Sequence, residues 1–285
     1  MSPDRPLDGR IAIVTGASRG VGKGIAEELG AAGATVYVTG RSVHGSPTTI
    51  ALAGTIEETA DAVNRAGGTG IAFRCDHRDD SAVRGLFRRV EAERGRLDVL
   101  VNNVWAGYEG LHQGKYQEFG KPFWEQPFAL WDAMFAAGVR AHYVASALAA
   151  RMMVSQGSGL IVNISSVAGV GEEPNVAIGV AKGATDRLTA STASQLRVHG
   201  VAVMSVYPGL VRTEGILKWA EHIDLSNSES PQFVGRAVVA LASDPNVAER
   251  SGQVLVAAEL AEEYGFTDVD GTQPRSLRPQ FEEVS

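Results

Sequence analysis

The run Gly16-Ala17-Ser18-Arg19-Gly20-Val21-Gly22 follows a β-branched stretch, Ile11–Thr15, and leads into helical spacing at Val21, Ile25 and Leu29. Glycines in that place let the backbone turn sharply and approach a pyrophosphate, whose charge is met by the first N–H groups of the helix. An ordinary strand-to-helix turn is the bland alternative, and three glycines in a strand–turn–helix setting weigh against it. At the end of the next strand the chain reads Thr39-Gly40-Arg41-Ser42, with no carboxylate to take a ribose 2′-hydroxyl or to repel a 2′-phosphate. Arg41 and Arg19 offer that phosphate fork-like, charge-assisted contacts. The expectation is a dinucleotide site of Gly16, Ser18, Arg19, Gly20, Val21, Arg41 and Ser42 that prefers NADP(H), with NAD(H) possible. The competing view makes both arginines solvated surface charges.

Such a site needs a frame, and the sequence predicts one. Arg10–Thr15, Thr35–Thr39, Gly70–Cys75, Leu97–Val101, Gly159–Ile164, Val201–Val206 and Gln253–Val256 read as strands separated by helical patterns. That alternation implies parallel βαβ units in one Rossmann-like, doubly wound α/β sheet of about seven strands with helices on both faces. Helical stripes run through Trp131, Phe135, Val139, Tyr143 and Ser146, and through Ala181, Thr185, Leu188, Thr192 and Leu196; each should face a sheet or a partner helix. No linker divides residues 1–270, which read as one domain, and residues 271–285 read as a tail that is mobile or docked on a neighbouring subunit. Ser42–Thr55 is an expected loop before a helix at Ile56–Arg65. Ala106–Pro127 is a long aromatic-rich excursion of the kind that covers ligand sites.

Composition narrows the classes. With 285 residues and 44% hydrophobic content the chain can bury a substantial core. A net charge of −7 and a pI near 5.4 argue against a nucleic-acid partner. The single cysteine, Cys75, makes no internal disulfide, and the first ten residues lack the apolar core of a secretory signal, so a reducing cytoplasm fits best. No apolar run approaches the roughly 20 residues of a membrane span. No metal site is singled out.

Taken together, Thr15-Gly16-x-x-x-Gly20-x-Gly22, Cys75-Asp76, Asn102-Asn103, Asn163-Ile164-Ser165-Ser166, Lys182 and Pro208-Gly209 with Thr213 resemble the short-chain dehydrogenase/reductase family, in register over nearly the whole chain. Ala34–Arg41, Phe123–Met153, Gly200–Thr213 and Ser251–Gly271 further resemble its dehydrogenase/reductase member 1 subgroup. The resemblance implies a nicotinamide cofactor across the strand ends and hydride transfer to or from a carbonyl or alcohol. It places Asp76, with His77 beside it, at the adenine, Asn102 on the adenosine side, and Pro208, Gly209, Val211 and Thr213 at the nicotinamide end. By themselves an Asp after a strand and a Pro-Gly pair are usually turn residues.

The family's reaction centre is a Ser, a Tyr and a Lys, with Tyr four residues before Lys. Here Ser166 and Lys182 match, and the tyrosine position is Ile178. A lysine one turn from a tyrosine lowers the phenol's pKa and lets it act as acid or base, which isoleucine cannot do. Losing a positioned acid–base group removes roughly 10²–10⁴ in rate. The family's relay asparagine corresponds to Gly138. Ser166 could still bond a carbonyl oxygen and Lys182 the cofactor ribose; alternatively the serines satisfy backbone groups and the lysine is a surface charge. Tyr108, Glu109, His112, Tyr116, Glu172 and Glu173 are candidate substitute acids. Trp105, Tyr108, Phe119, Phe123 and Trp124 are candidate linings for a small hydrophobic substrate, though aromatics more often pack a core.

Three functions remain open. The first is an NADP(H)-dependent oxidoreductase acting on a carbonyl, alcohol or imine. The second is a non-redox catalyst of cyclisation or isomerisation that keeps the cofactor as a wall. The third is a protein, natural or with its tyrosine replaced by engineering, that binds cofactor without turnover. The resemblance also implies a homodimer or homotetramer through helices at Leu130–Ser155 and Val176–Arg197.

Overall fold

The computed structural model describes residues 5–46, 52–114, 118–171 and 173–279. The strands are β1 (Ile11–Val14), β2 (Thr35–Gly40), β3 (Thr69–Arg74), β4 (Val99–Asn102), β5 (Gly159–Ile164), β6 (Val201–Tyr207), β7 (Leu210–Val211), β8 (Ser228–Glu229) and β9 (Val254–Val256). Seven of them form one parallel sheet in the order β3-β2-β1-β4-β5-β6-β9, while β7 and β8 pair with each other. Parallel strands covered on both faces bury both sets of alternating side chains, so they read as continuous apolar runs. In β1, Ala12 and Val14 enter one core and Ile11 and Ile13 the other. All seven expected sheet strands are present, within a residue or two at each end.

The helices are α1 (Gly20–Ala31), α2 (Ile56–Arg65), α3 (Asp80–Arg94), α4 (Glu109–His112), α5 (Phe128–Met134), α6 (Ala141–Gln156), α7 (Val176–Leu196), α8 (Glu214–Leu217), α9 (Pro231–Ser243) and α10 (Ala257–Tyr264). α1, α2, α9 and α10 supply the core on one face of the sheet, and α3, α6 and α7 that on the other. Local chemistry sets several starts. Thr55 and Glu58 form a reciprocal capping box at α2, Asp79 caps α3, Asn175 caps α7, and Ser230 caps α9 ahead of Pro231. From β1 the chain winds outward to β2 and β3, then returns to β4 beside β1. The crevice at the carboxyl ends of β1 and β4 is where a doubly wound sheet places its ligand.

Two expectations need correction. The stripe through Trp131, Phe135, Val139, Tyr143 and Ser146 turns inward only in part: Ser146 is buried and Phe135 and Val139 pack against the cluster with α7, but Trp131 and Tyr143 are 41% and 58% exposed, and the buried face also takes in Leu130, Met134, Gly138, Ala145, Ala149 and Met153. The Trp105 ring takes the space beside Gly138, and a π-helical segment over 135–140 joins α5 to α6. On α7, Thr189 and Ala193 replace Leu188 and Thr192 on the buried face. Thr189 Oγ1 accepts from Asn163 Nδ2 at 2.8 Å, which turns that side of the helix inward. Within the chain, residues 271–279 make contacts of their own: Arg275 and Asn227 exchange backbone and side-chain bonds, and Arg278 forks onto Glu259. Residues 280–285 lie outside the described part.

Candidate active site

Gly16 and Gly20 both have positive φ, 67° and 57°, which glycine adopts without strain. A Cβ on Gly16 would stand 2.8 Å from Val104 Cα, and one on Gly22 2.4 Å from Asn103 Nδ2, so the turn after β1 is pressed against the turn after β4. Thr15 and Asn103 hold the two turns together. Thr15 Oγ1 accepts from the N–H groups of Asn103 and Val104 at 2.9 and 3.1 Å, and Asn103 Nδ2 donates to the carbonyls of Thr15 and Gly16. Above this cradle opens a cavity of about 310 Å³, lined among others by Gly16, Gly20, Arg41, Asp76, Trp105 and Thr213. Ser18, Arg19, Val21, Ser42 and His77 also border it. The bare glycines, the N-terminus of α1 and the arginine at the far end fit the adenosine and pyrophosphate of a dinucleotide.

The far end is crowded with charge. Arg41 is ion-paired with Glu109 and lies 4.0 Å from Asp76, and its pKa is pushed down first by desolvation and then by Arg78. Asp76 is gripped by Arg78, which donates through Nε at 3.0 Å and Nη2 at 2.7 Å and holds the carboxyl down to about 2. Arg19 does not reach freely into the cavity. Its guanidinium donates to the carbonyls of Ala53 and Gly54 and to Ser42 Oγ, tying the following loop to the glycine turn. His77 is a buried group under the cavity floor, 2.8 Å from Thr39 Oγ1, and burial pushes its pKa down to about 4.

Asn102 points away from the cavity. It is fully buried and donates to Ser146 Oγ and Asn163 Oδ1 in a polar network that ties β4 to β5 and α6. The asparagine at the cavity is Asn103. Either residue of an Asn-Asn pair can carry the contact, and only the strand's final pleat decides.

At the other end of the crevice, Lys182 Nζ donates to the Ile164 carbonyl at 3.2 Å and stands 4.6 Å from the centre of the Trp105 ring. Burial, partly opposed by Asp186, pulls the ammonium down to about 8. Ile178, one turn earlier on α7, is 6% exposed in an apolar cluster with Leu130, Met134, Ala177 and Ala181, bordered by Trp105 and Phe119. Ser166 stands at the end of β5, half-buried, whereas Ser165 Oγ bonds back to the Lys182 carbonyl. A Cβ on Gly138 would meet Trp105 Cζ3 at 2.8 Å. The indole thus fills the space beside Gly138 and ends the cavity short of Ser166 and Lys182.

Pro208 and Gly209 follow β6, Val211 is in β7, and Thr213 lines the cavity while capping α8. Two acidic residues at this end were not picked out from the sequence. Glu214 Oε2 accepts from the Gly20 N–H at 2.9 Å. Glu229, 1% exposed, accepts from the Gly209 N–H, and burial raises it to about 8. No local pattern marks either one, because their partners lie 194 and 20 residues away.

Among the candidate substitute acids, Tyr108 and His112 border the cavity, Glu109 is taken by Arg41, and Glu173 accepts from the Asn175 N–H. Tyr116 and Glu172 lie outside the described residues. Phe123 and Trp124, 59% and 73% exposed, meet edge to face away from the cavity, and Phe119 packs beside Ile178; only Trp105 and Tyr108 of the five aromatics border it. Surface rings and lining rings look alike in sequence.

The sheet order, the glycine cradle at the β1–β4 crevice and the lysine on α7 together define a class, and comparison with known proteins agrees. The short chain dehydrogenase model matches residues 10–223, and the chain belongs to this family of oxidoreductases. It is 42% identical over 280 residues to "Dehydrogenase/reductase SDR family member 1" of Mus musculus, covering 93% of this chain and 85% of the relative. A metagenomic short-chain oxidoreductase solved in complex with NADP superposes with a TM-score of 0.70 and 32% identity, over 88% of this chain and 98% of that one. A 7α-hydroxysteroid dehydrogenase solved with NADH and 7-oxo glycochenodeoxycholic acid superposes with a TM-score of 0.73 and 25% identity, over 97% and 100%. Among the described residues, no helix is long and apolar enough to cross a membrane.

Proposed function

We propose that this chain is an NADP(H)-preferring oxidoreductase that transfers hydride to or from a carbonyl, alcohol or imine of a small hydrophobic substrate. The observation that carries the cofactor preference is Arg41 at the end of β2, with Arg78 and Arg19 nearby and no carboxylate within that strand end. Arg41, with Arg78 and Arg19 close by but engaged with Asp76 and with loop carbonyls, favours a phosphate at that corner. When bound, the cofactor supplies the hydride; the chain's own residues do the rest. The glycine turn and the start of α1 receive the pyrophosphate, Asp76 and the floor over His77 border the adenine, and Lys182 holds the ribose of the other half.

Ser166 is assigned the hydrogen bond to the substrate oxygen or nitrogen. Ile178 occupies the position where the family has its tyrosine and offers no proton, so ordinary carbonyl reduction is impaired. Its apolar surroundings exclude water without replacing the donor. A substrate nitrogen that arrives already protonated, as in an iminium ion, removes the need for that donor. The test is NADPH consumption with matched ketones and cyclic imines: faster turnover of imines supports this reading, while product formed at constant NADPH contradicts it.

The active unit is proposed to be a homodimer or homotetramer. Phe135, Val139 and Tyr143 beside Ala184 and Leu188 form an outward apolar groove between the α5–α6 helix and α7, which a second copy of the same pair would cover.

A further inference from the structure

Two anion positions of the crevice are already filled by carboxylates of the chain itself, delivered by two segments outside the nucleotide motif. Glu109, the first residue of α4, is paired with Arg41 at the corner assigned to the 2′-phosphate. Glu214, the first residue of α8, accepts from the Gly20 N–H at the start of α1, where the pyrophosphate belongs. Neither contact is incidental to its surroundings. Asp76, the other carboxylate near Arg41, stands 4.0 Å away and is occupied by three bonds from Arg78, so the direct pair with Arg41 is made by Glu109. At α1 the N-cap Arg19 makes no side-chain cap bond, and Glu214 supplies the missing acceptor.

We infer that Glu109 and Glu214 are internal counter-anions that the cofactor's phosphates displace, and that Glu109 is thereby a cofactor-specificity residue. This rests on the proposal that the crevice takes a nicotinamide dinucleotide with its 2′-phosphate on Arg41. The pyrophosphate is common to both cofactors, so displacing Glu214 weighs equally on NADPH and NADH. Only the 2′-phosphate meets Arg41, so Glu109 weighs on NADPH alone.

The test is calorimetric titration of the whole protein and of Glu109→Gln, Glu109→Ala, Glu214→Gln and Arg41→Ala with NADPH, NADH, 2′,5′-ADP and ADP. Both Glu109 variants should bind NADPH and 2′,5′-ADP roughly fivefold tighter, the scale of one partly exposed ion pair, with NADH and ADP unmoved. Glu214→Gln should tighten NADPH, NADH and ADP, which share the pyrophosphate, by a similar factor, and 2′,5′-ADP, with a single 5′-phosphate, by less. An unchanged NADPH-to-NADH ratio in both Glu109 variants, or weaker binding of all ligands in Glu214→Gln, overturns the inference. Failure of the underlying proposal looks different: the unmodified protein would then show no preference and Arg41→Ala would change nothing. A preference that Arg41→Ala abolishes but neither Glu109 variant raises leaves the proposal standing and sinks this inference.

Discussion

The Trp105 ring lies 4.6 Å from the Lys182 ammonium, and its Cζ3 edge takes the space that a side chain on Gly138 would need. The two residues are 77 positions apart, and the pairing closes the reaction end of the crevice. A cation over an indole face is worth about 0.5–2 kcal/mol according to its desolvation.

Removing that lid should expose Lys182. Trp105→Ala is expected to bind NADPH and NADH about threefold to tenfold tighter, equally for both because the nicotinamide half is shared. Titration followed by quenching of tryptophan emission reads this directly. Weaker binding would mean that the indole supports the cofactor rather than covering its place.

Ile178→Tyr should restore a proton donor one turn from Lys182 and raise NADPH-dependent reduction of hydrophobic aldehydes or ketones by about 10² or more, the low end of what a positioned acid contributes. Cofactor affinity should hardly move. The new ring must share space with Trp105 and Phe119, which border the same cluster, so Ile178→Tyr combined with Trp105→Gly is the more favourable version. A double variant that binds NADPH and reduces none of a broad carbonyl panel counts against an oxidoreductase that lacks only its acid.

How far these features were readable in the chain depended on how local their causes are. The helix at Ile56–Arg65 falls where expected because Thr55 and Glu58 form its capping box within four residues. The inner sheet strands were legible because both faces are buried and their runs are largely apolar, while the partly exposed edge strand β3 still carries the apolar stretch Ile71–Phe73. The α5–α6 stripe was misread because burial there follows available room, not apolarity, and Gly138 faces inward beside an indole from another loop. β7 and β8, two residues each, carry no pattern of their own. The Arg41–Glu109 and Gly20–Glu214 contacts bridge 68 and 194 positions, which no spacing rule spans.

Glu229 makes the stability depend on pH. Its carboxyl is raised from 4.5 to about 8 by burial, so between those values the unfolded chain has released a proton that the folded one keeps. Stability from this group is complete below pH 4.5 and is lost as pH rises through about 8. Glu229→Gln should remove that loss, leaving the variant more stable than the parent at pH 9 by on the order of 1–3 kcal/mol, with little difference at pH 5. Denaturant titrations at the two pH values check it; equal differences at both would show that the carboxyl is ionised throughout.

The outward groove beside Phe135, Val139 and Tyr143 should be an interface between copies. Light scattering at micromolar concentration is expected to return a dimer or tetramer, and Val139→Arg, which buries a charge against its own symmetry mate, should shift it towards the 30.0 kDa monomer. A monomer before substitution would refute this.

The central claim is the phosphate site at Arg41, and the measurement that tests it most directly is a paired calorimetric titration with NADPH and NADH before and after Arg41→Ala. One charge-assisted contact to a phosphate is worth about 1.5–3 kcal/mol, so NADPH should bind at least tenfold tighter than NADH, and Arg41→Ala should erase most of that difference while leaving NADH nearly unchanged. Equal affinities for the two cofactors, or a preference that survives Arg41→Ala, would contradict the account.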